Sequence, residues 1–132
     1  VINYLPDSVE AGKQAGISDI DVLEATDYYK SARCQQPNGA TSGLFSFNSA
    51  AMAWDAFAHA ETLLTQPLLV VIGDKPGGFG AYRDGREIYG RAASQAKQIF
   101  VAEGWSHYDL YDQLEPVALA MAQIVPFFKQ HL

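Results

Sequence analysis

The chain has 132 residues with a hydrophobic fraction of 48%, a charged fraction of 18% and a formal charge of −6. That length holds one domain, or part of one, and the composition is that of a folded protein rather than a disordered one. The acidic balance argues against a nucleic-acid partner, which normally meets a basic face, and no apolar run approaches the roughly 20 residues of a membrane helix.

Cys34 is the sole cysteine. An internal disulfide framework is therefore excluded, and a reducing, cytoplasmic compartment is the expectation. The start at Val1 and the opening VINYLPDSVE carry no signal-peptide pattern and read as a cut inside a longer chain.

From Pro6 to Arg33 the pattern is helical and polar. It predicts one or two short surface helices, with Ser18 or Asp19 capping IDVLEATDYYKSA. RCQQPNGATSG collects turn-forming residues and reads as a loop. FNSAAMAWDAFAHAETLL then predicts a helix up to about Leu64, capped by Asn48 or Ser49, with Met52, Phe57, Ala60 and Leu64 as its apolar stripe. His59 falls within that segment and reads as structural.

The second half changes rhythm. PLLVVIG, Pro67 to Gly73, is an unbroken apolar run without alternation, the pattern of a strand buried on both faces of a parallel sheet. The glycine-rich DKPGGFGAY follows, then a helical segment from about Asp84 to Ser94, a strand over Lys97 to Ala102, and a closing helix from Glu115 to His131. The closing helix carries Val117, Met121, Ile124, Val125 and Phe128 as its apolar positions, with Pro126 as a kink candidate. Strand, helix, strand, helix is a βαβ unit with parallel strands and a right-handed crossover. The fold class is α/β. Two buried parallel strands need neighbours, and no third convincing strand is legible, so the sheet is expected to be completed by polypeptide outside this chain.

Parallel strands end on one edge, where active-site loops gather. Asp74 lies just beyond the first strand and His107 shortly beyond the second. A carboxylate beside an imidazole fixes its tautomer and stabilises the imidazolium formed when histidine takes a proton. Asp84 is the rival acid, although a helix N-cap is its simpler reading. Asp109 and Asp112 follow His107 too closely to orient it, and capping the last helix is the expected task for one of them. His131 is expected to be solvated. DKPGGFG matches neither a P-loop nor G-x-G-x-x-G and reads as a mobile loop. Cys34 has no identifiable activating group, and the scattered histidines give no zinc spacing, so neither a metal nor a cofactor is expected. Trp54, Trp105 and the tyrosines are expected mainly in cores.

PLLVVIGD, REIYGRAASQ, KQIFVAEGWSHYDLYD and VPFFKQHL together resemble the C-terminal portion of an α/β-hydrolase, particularly the dienelactone-hydrolase-like and peptidase S15-like esterases. The resemblance spans roughly residues 65–132 and implies that residues 1–64 form a helical cap or insertion. It implies that the loop after PLLVVIG carries the triad acid, assigned to Asp74 with Asp84 as alternative, and that Gly104-Trp105-Ser106-His107 carries the base. The G-x-S-x-G nucleophile elbow is absent from the chain. The implied function is hydrolysis of a small-molecule ester or related acyl bond, with the serine on an N-terminal segment of the same protein and homo-oligomerisation open. A non-catalytic ligand-binding or interaction module and an acyltransferase on the same fold are the alternatives.

Overall fold

The computed structural model describes residues 1–39 and 41–132; Ala40, inside the predicted loop, lies outside the described residues. The chain divides into two compact units, Val1–Ala56 and Phe57–Leu132.

In the first unit, β1 (Ile2–Asn3) pairs antiparallel with β2 (Ser42–Gly43). This short ladder was not legible in the sequence, because two-residue strands leave no periodic signal and β2 sits in a segment of turn formers. Helices α1 (Val9–Gln14) and α2 (Ile20–Lys30) are capped by side chains that accept backbone N–H groups: Ser8 from Ala11, and Asp19 from Val22 at 3.1 Å. Asp19, not Ser18, is thus the cap of α2. Its buried face is small and polar, with Asp21, Ala25 and Thr26 shielded and the Thr26 hydroxyl donating to the Val22 carbonyl at 2.7 Å.

The single helix predicted up to Leu64 does not form. Residues 47–53 make α3 (Phe47–Ala53) and residues 60–63 make α4 (Ala60–Leu63). Trp54 is extended and His59 adopts φ 66°, so the backbone leaves the helical region between them. The predicted stripe is the reason for the error: Met52 is 88% exposed and α3 buries nothing, so no core face holds a longer helix together. Trp54, expected in a core, is also exposed. His59 is the residue before α4 rather than a member of a helix.

The second unit is a mixed α/β layer. β3 (Leu68–Gly73) and β4 (Lys97–Ala102) pair in parallel, with Val70 opposite Ile99 and Gly73 opposite Ala102. They match the two predicted strands to within one residue. Between them runs α5 (Ala81–Arg91), and after them α6 (Asp109–Asp112) and α7 (Leu114–His131). Helix α5 starts three residues before its predicted onset. Gly80, at φ 83°, precedes it, so Asp84 lies in its first turn and is not the N-cap.

Side chains alternate across a strand, and the helices use both faces. A Cβ at Gly85 would stand 2.5 Å from Ile72 Cγ2 and 3.4 Å from Val70 Cγ1, which places α5 on the Val70 and Ile72 face. Leu69 and Val71 instead line an apolar groove of about 400 Å³ with Ile124, Phe127 and Phe128 of α7. Burial along β3 is uneven. Leu68 to Val71 are half-buried, whereas Ile72, Gly73 and, on β4, Ala102 are buried. The sheet is therefore most enclosed at its C-terminal edge.

Helix α7 begins one residue before its predicted start. Pro116, Ala120 and Phe127 are its buried residues, while Met121, Val125 and Phe128 are exposed. Apolar residues surround much of this helix, so periodicity alone does not identify the inward face. At the opposite end of the sheet, the Lys97 ammonium donates to the carbonyls of Tyr89 and Ala92, both at 2.8 Å, and of Gly90, closing the C-terminus of α5. No helix among the described residues is long and apolar enough to cross a membrane.

Candidate active site at the C-terminal edge of the sheet

Where β3 ends, the chain approaches the turn after β4 so closely that only glycine fits. A Cβ on Gly73 would lie 2.3 Å from the Trp105 carbonyl oxygen and 2.9 Å from the Ser106 carbonyl carbon and oxygen. Asp74 then ties the two loops together. Its backbone N–H donates to the Trp105 carbonyl at 3.0 Å, and its carboxylate Oδ2 accepts the Gly104 N–H at 2.8 Å. Gly104 itself takes φ 81°, a left-handed conformation that costs an L side chain about 1–2 kcal/mol.

Residues 106–109 form a closed turn. The Ser106 N–H donates to Asp109 Oδ2 at 2.8 Å, and the Asp109 N–H donates to Ser106 Oγ at 3.1 Å. This is the reciprocal arrangement of a capping box. Ser106 is fully buried within it. Asp109 therefore anchors the turn leading into α6, and the residue preceding α7 is Gln113, which makes no side-chain capping bond. Lys75 of the glycine-rich loop reaches Asp109 Oδ2 at 3.9 Å, a further tie between the loops following β3 and β4.

The turn presents His107 half-buried between two tyrosines. Its ring meets Tyr108 edge-on at a centroid distance of 5.1 Å and Tyr111 at 5.0 Å. Tyr108 is buried and forms the floor of the cluster. His107 Nε2 and the Tyr111 hydroxyl are hydrogen-bonded at 2.9 Å.

Asp74 and His107, the residues singled out in the sequence, thus lie in adjoining loops at one edge of the sheet. Among the described residues no hydrogen bond joins them: the Asp74 carboxylate is engaged by the Gly104 N–H, and the His107 imidazole by Tyr111. Asp84 is directed elsewhere, its Oδ1 accepting from Arg83 Nε at 2.8 Å. That contact raises the Arg83 guanidinium pKa above its ordinary value, through the hydrogen bond first and the charge of Asp84 second. His131 is half-buried, its ring 4.6 Å from that of Phe127. No cluster of three or more His, Cys, Asp or Glu side chains able to hold a metal occurs among the described residues.

Two participants escaped sequence reasoning. Tyr111 was legible only as a crowding aromatic, yet His-x-x-x-Tyr is the i, i+4 spacing at which side chains on a helical turn meet. The Ser106-x-x-Asp109 pairing was legible as a capping box, but the apolar run expected behind such a motif is missing here.

No family model matches the chain. Over 99% of its length it is 32% identical to YcjY of Escherichia coli K12, described as an uncharacterized protein. The aligned part amounts to 48% of YcjY, so the chain spans about half the length of this curated relative.

Proposed function

We propose that the chain is the C-terminal part of an α/β-hydrolase of the dienelactone-hydrolase-like and peptidase S15-like group, supplying the base and the acid for cleavage of a small-molecule ester or related acyl bond. The carrying observation is the shared edge: Asp74 and the Gly104–His107 turn are clasped together beyond the carboxyl ends of two parallel strands. In an open α/β sheet that edge is where ligands bind.

In this reading His107 takes the proton of a serine hydroxyl as it attacks the acyl carbon, forming an acyl-enzyme, and returns the proton to the leaving group. Asp74 is the acid that steadies the imidazolium. The serine and the oxyanion donors belong to an N-terminal segment bearing G-x-S-x-G, which also completes the sheet. The half-buried Leu68 to Val71 support such completion, since a parallel pair with helices on both faces is left open only at its edges, where further strands would bury it.

A second reading, a non-catalytic binding module of the same architecture, is favoured by the engagement of Asp74 with Gly104 instead of His107. One experiment separates them. In the protein extended to include the N-terminal segment, hydrolysis of a panel of short-chain aryl esters is measured for the parent and for His107→Ala. The hydrolase reading expects a fall of at least about 10³-fold in kcat/KM; near-normal turnover in the variant overturns His107 as the base, and no hydrolysis by a parent with the elbow serine selects the module.

A further inference from the structure

The Tyr111 hydroxyl meets the nitrogen of His107 that the proposed chemistry requires as proton acceptor. The direction of that 2.9 Å bond follows from acid–base chemistry. A phenol O–H is more acidic than a neutral imidazole N–H, and an unprotonated imidazole nitrogen accepts more strongly than a phenol oxygen. The favoured arrangement is therefore O–H donating to Nε2, with the ring proton on Nδ1.

We propose that Tyr111 is a positioning residue that selects the Nδ1–H tautomer of His107 and stands where the hydroxyl of a nucleophile is to stand. The functional meaning rests on the hydrolase reading above; the tautomer itself does not. In a serine triad the histidine donates Nδ1–H to the acid and accepts at Nε2, so the tautomer held by Tyr111 is the competent one. Among the described residues His107 Nδ1 has no hydrogen-bond partner, which leaves its proton available to an acid. An incoming serine then replaces one hydroxyl by another and needs no proton rearrangement on the ring.

The surroundings hold this geometry. The reciprocal Ser106 and Asp109 bonds fix the turn that brings positions 107 and 111 face to face. Edge contacts from Tyr108 and Tyr111 restrict rotation of the imidazole. Tyr111→Phe keeps the ring and removes the hydroxyl that meets His107 Nε2.

The test is ¹⁵N spectroscopy of ring-labelled histidine in the protein extended to include the N-terminal segment, with its elbow serine replaced by alanine so that Tyr111 keeps its place at Nε2, well above the ordinary imidazole titration range. The His107 signals are identified as those that disappear in His107→Gln, the other two histidines of the chain being His59 and His131. In the parent, Nδ1 is expected in the protonated, pyrrole-like range and Nε2 in the pyridine-like range. Tyr111→Phe is expected to shift the population toward Nε2–H. A parent spectrum dominated by Nε2–H, or a ratio unchanged in a folded Tyr111→Phe, overturns the proposal; if the variant does not fold, the parent spectrum alone decides. Ester hydrolysis reports separately. Loss of activity in His107→Ala with an unchanged tautomer in Tyr111→Phe sinks the role of Tyr111 and spares the hydrolase reading, whereas the expected tautomer in a protein without esterase activity does the reverse.

Discussion

Gly73→Ala perturbs the contact that brings the two loops of the candidate site together. The added methyl group would sit 2.3 Å from the Trp105 carbonyl oxygen, against an ordinary van der Waals contact of at least 3.4 Å. The obstacle is backbone, so no side-chain rotation relieves it, and the loops must separate by about 1 Å. Strain of that kind costs about 1–3 kcal/mol. Separation also stretches the two Asp74 bonds to Trp105 and Gly104, adding roughly 1 kcal/mol. The expected total is about 2–4 kcal/mol, a fall of roughly 30- to 1,000-fold in the folded-to-unfolded ratio. Urea unfolding measures it through the midpoint at unchanged slope, and amide exchange at Gly104 should accelerate as its acceptor withdraws. Gly90→Ala is the control: nothing lies within 4 Å of a Cβ there, and replacing a glycine in the last turn of a helix should stabilise by about 0.5 kcal/mol. A Gly73→Ala protein that unfolds at the parental midpoint would refute the close approach, and with it the geometric basis for placing Asp74 beside the His107 turn.

Asp74→Ala removes the acceptor for the Gly104 N–H and is expected to cost about 1 kcal/mol in urea unfolding, the size of an ordinary hydrogen bond and below that of a buried charge-assisted one because this bond is exposed; Asp74→Asn, which keeps a carbonyl oxygen, should recover most of it. Asp19→Ala deletes the cap of α2 and should destabilise by about 1 kcal/mol, visible as a lower midpoint and faster exchange at the Val22 amide. Glu61 is held below its ordinary pKa of 4.5, first by the hydrogen bond from Arg91 and then by a backbone hydrogen bond. A depressed folded pKa means that its stabilisation is present above about pH 4.5 and is lost as pH falls through the folded value. Glu61→Gln should therefore flatten the decline of the unfolding midpoint below pH 4.5, and coincident profiles for parent and variant would count against the pairing.

The strands were readable because their signal is local and redundant. PLLVVIG and KQIFVA are short, apolar and β-branched, flanked by residues that end regular structure, and burial on a sheet follows from that chemistry with little help from context. The segment from Phe47 to Leu63 shows the limit of such reading. Its apolar residues fall at helical spacing, but no core surface receives them, and two short helices form around extended Trp54 and left-handed His59. Helix α7 was legible as a helix but its facing was not, since apolar side chains occur both inside, at Phe127, and outside, at Phe128.

For the candidate site, sequence alone determined that Asp74 and His107 each follow a strand, and parallel pairing was enough to place them on one edge. Which atoms meet there was decided by tertiary structure. Gly73 lets two backbones touch, Gly104 turns through a left-handed conformation, and Asp74 is drawn to an amide instead of an imidazole. His107 is left to Tyr111 by the same turn. A strand follows from the composition of six residues, whereas a hydrogen-bond partner depends on ångström-scale approach between loops some thirty residues apart, set by packing that no local pattern encodes.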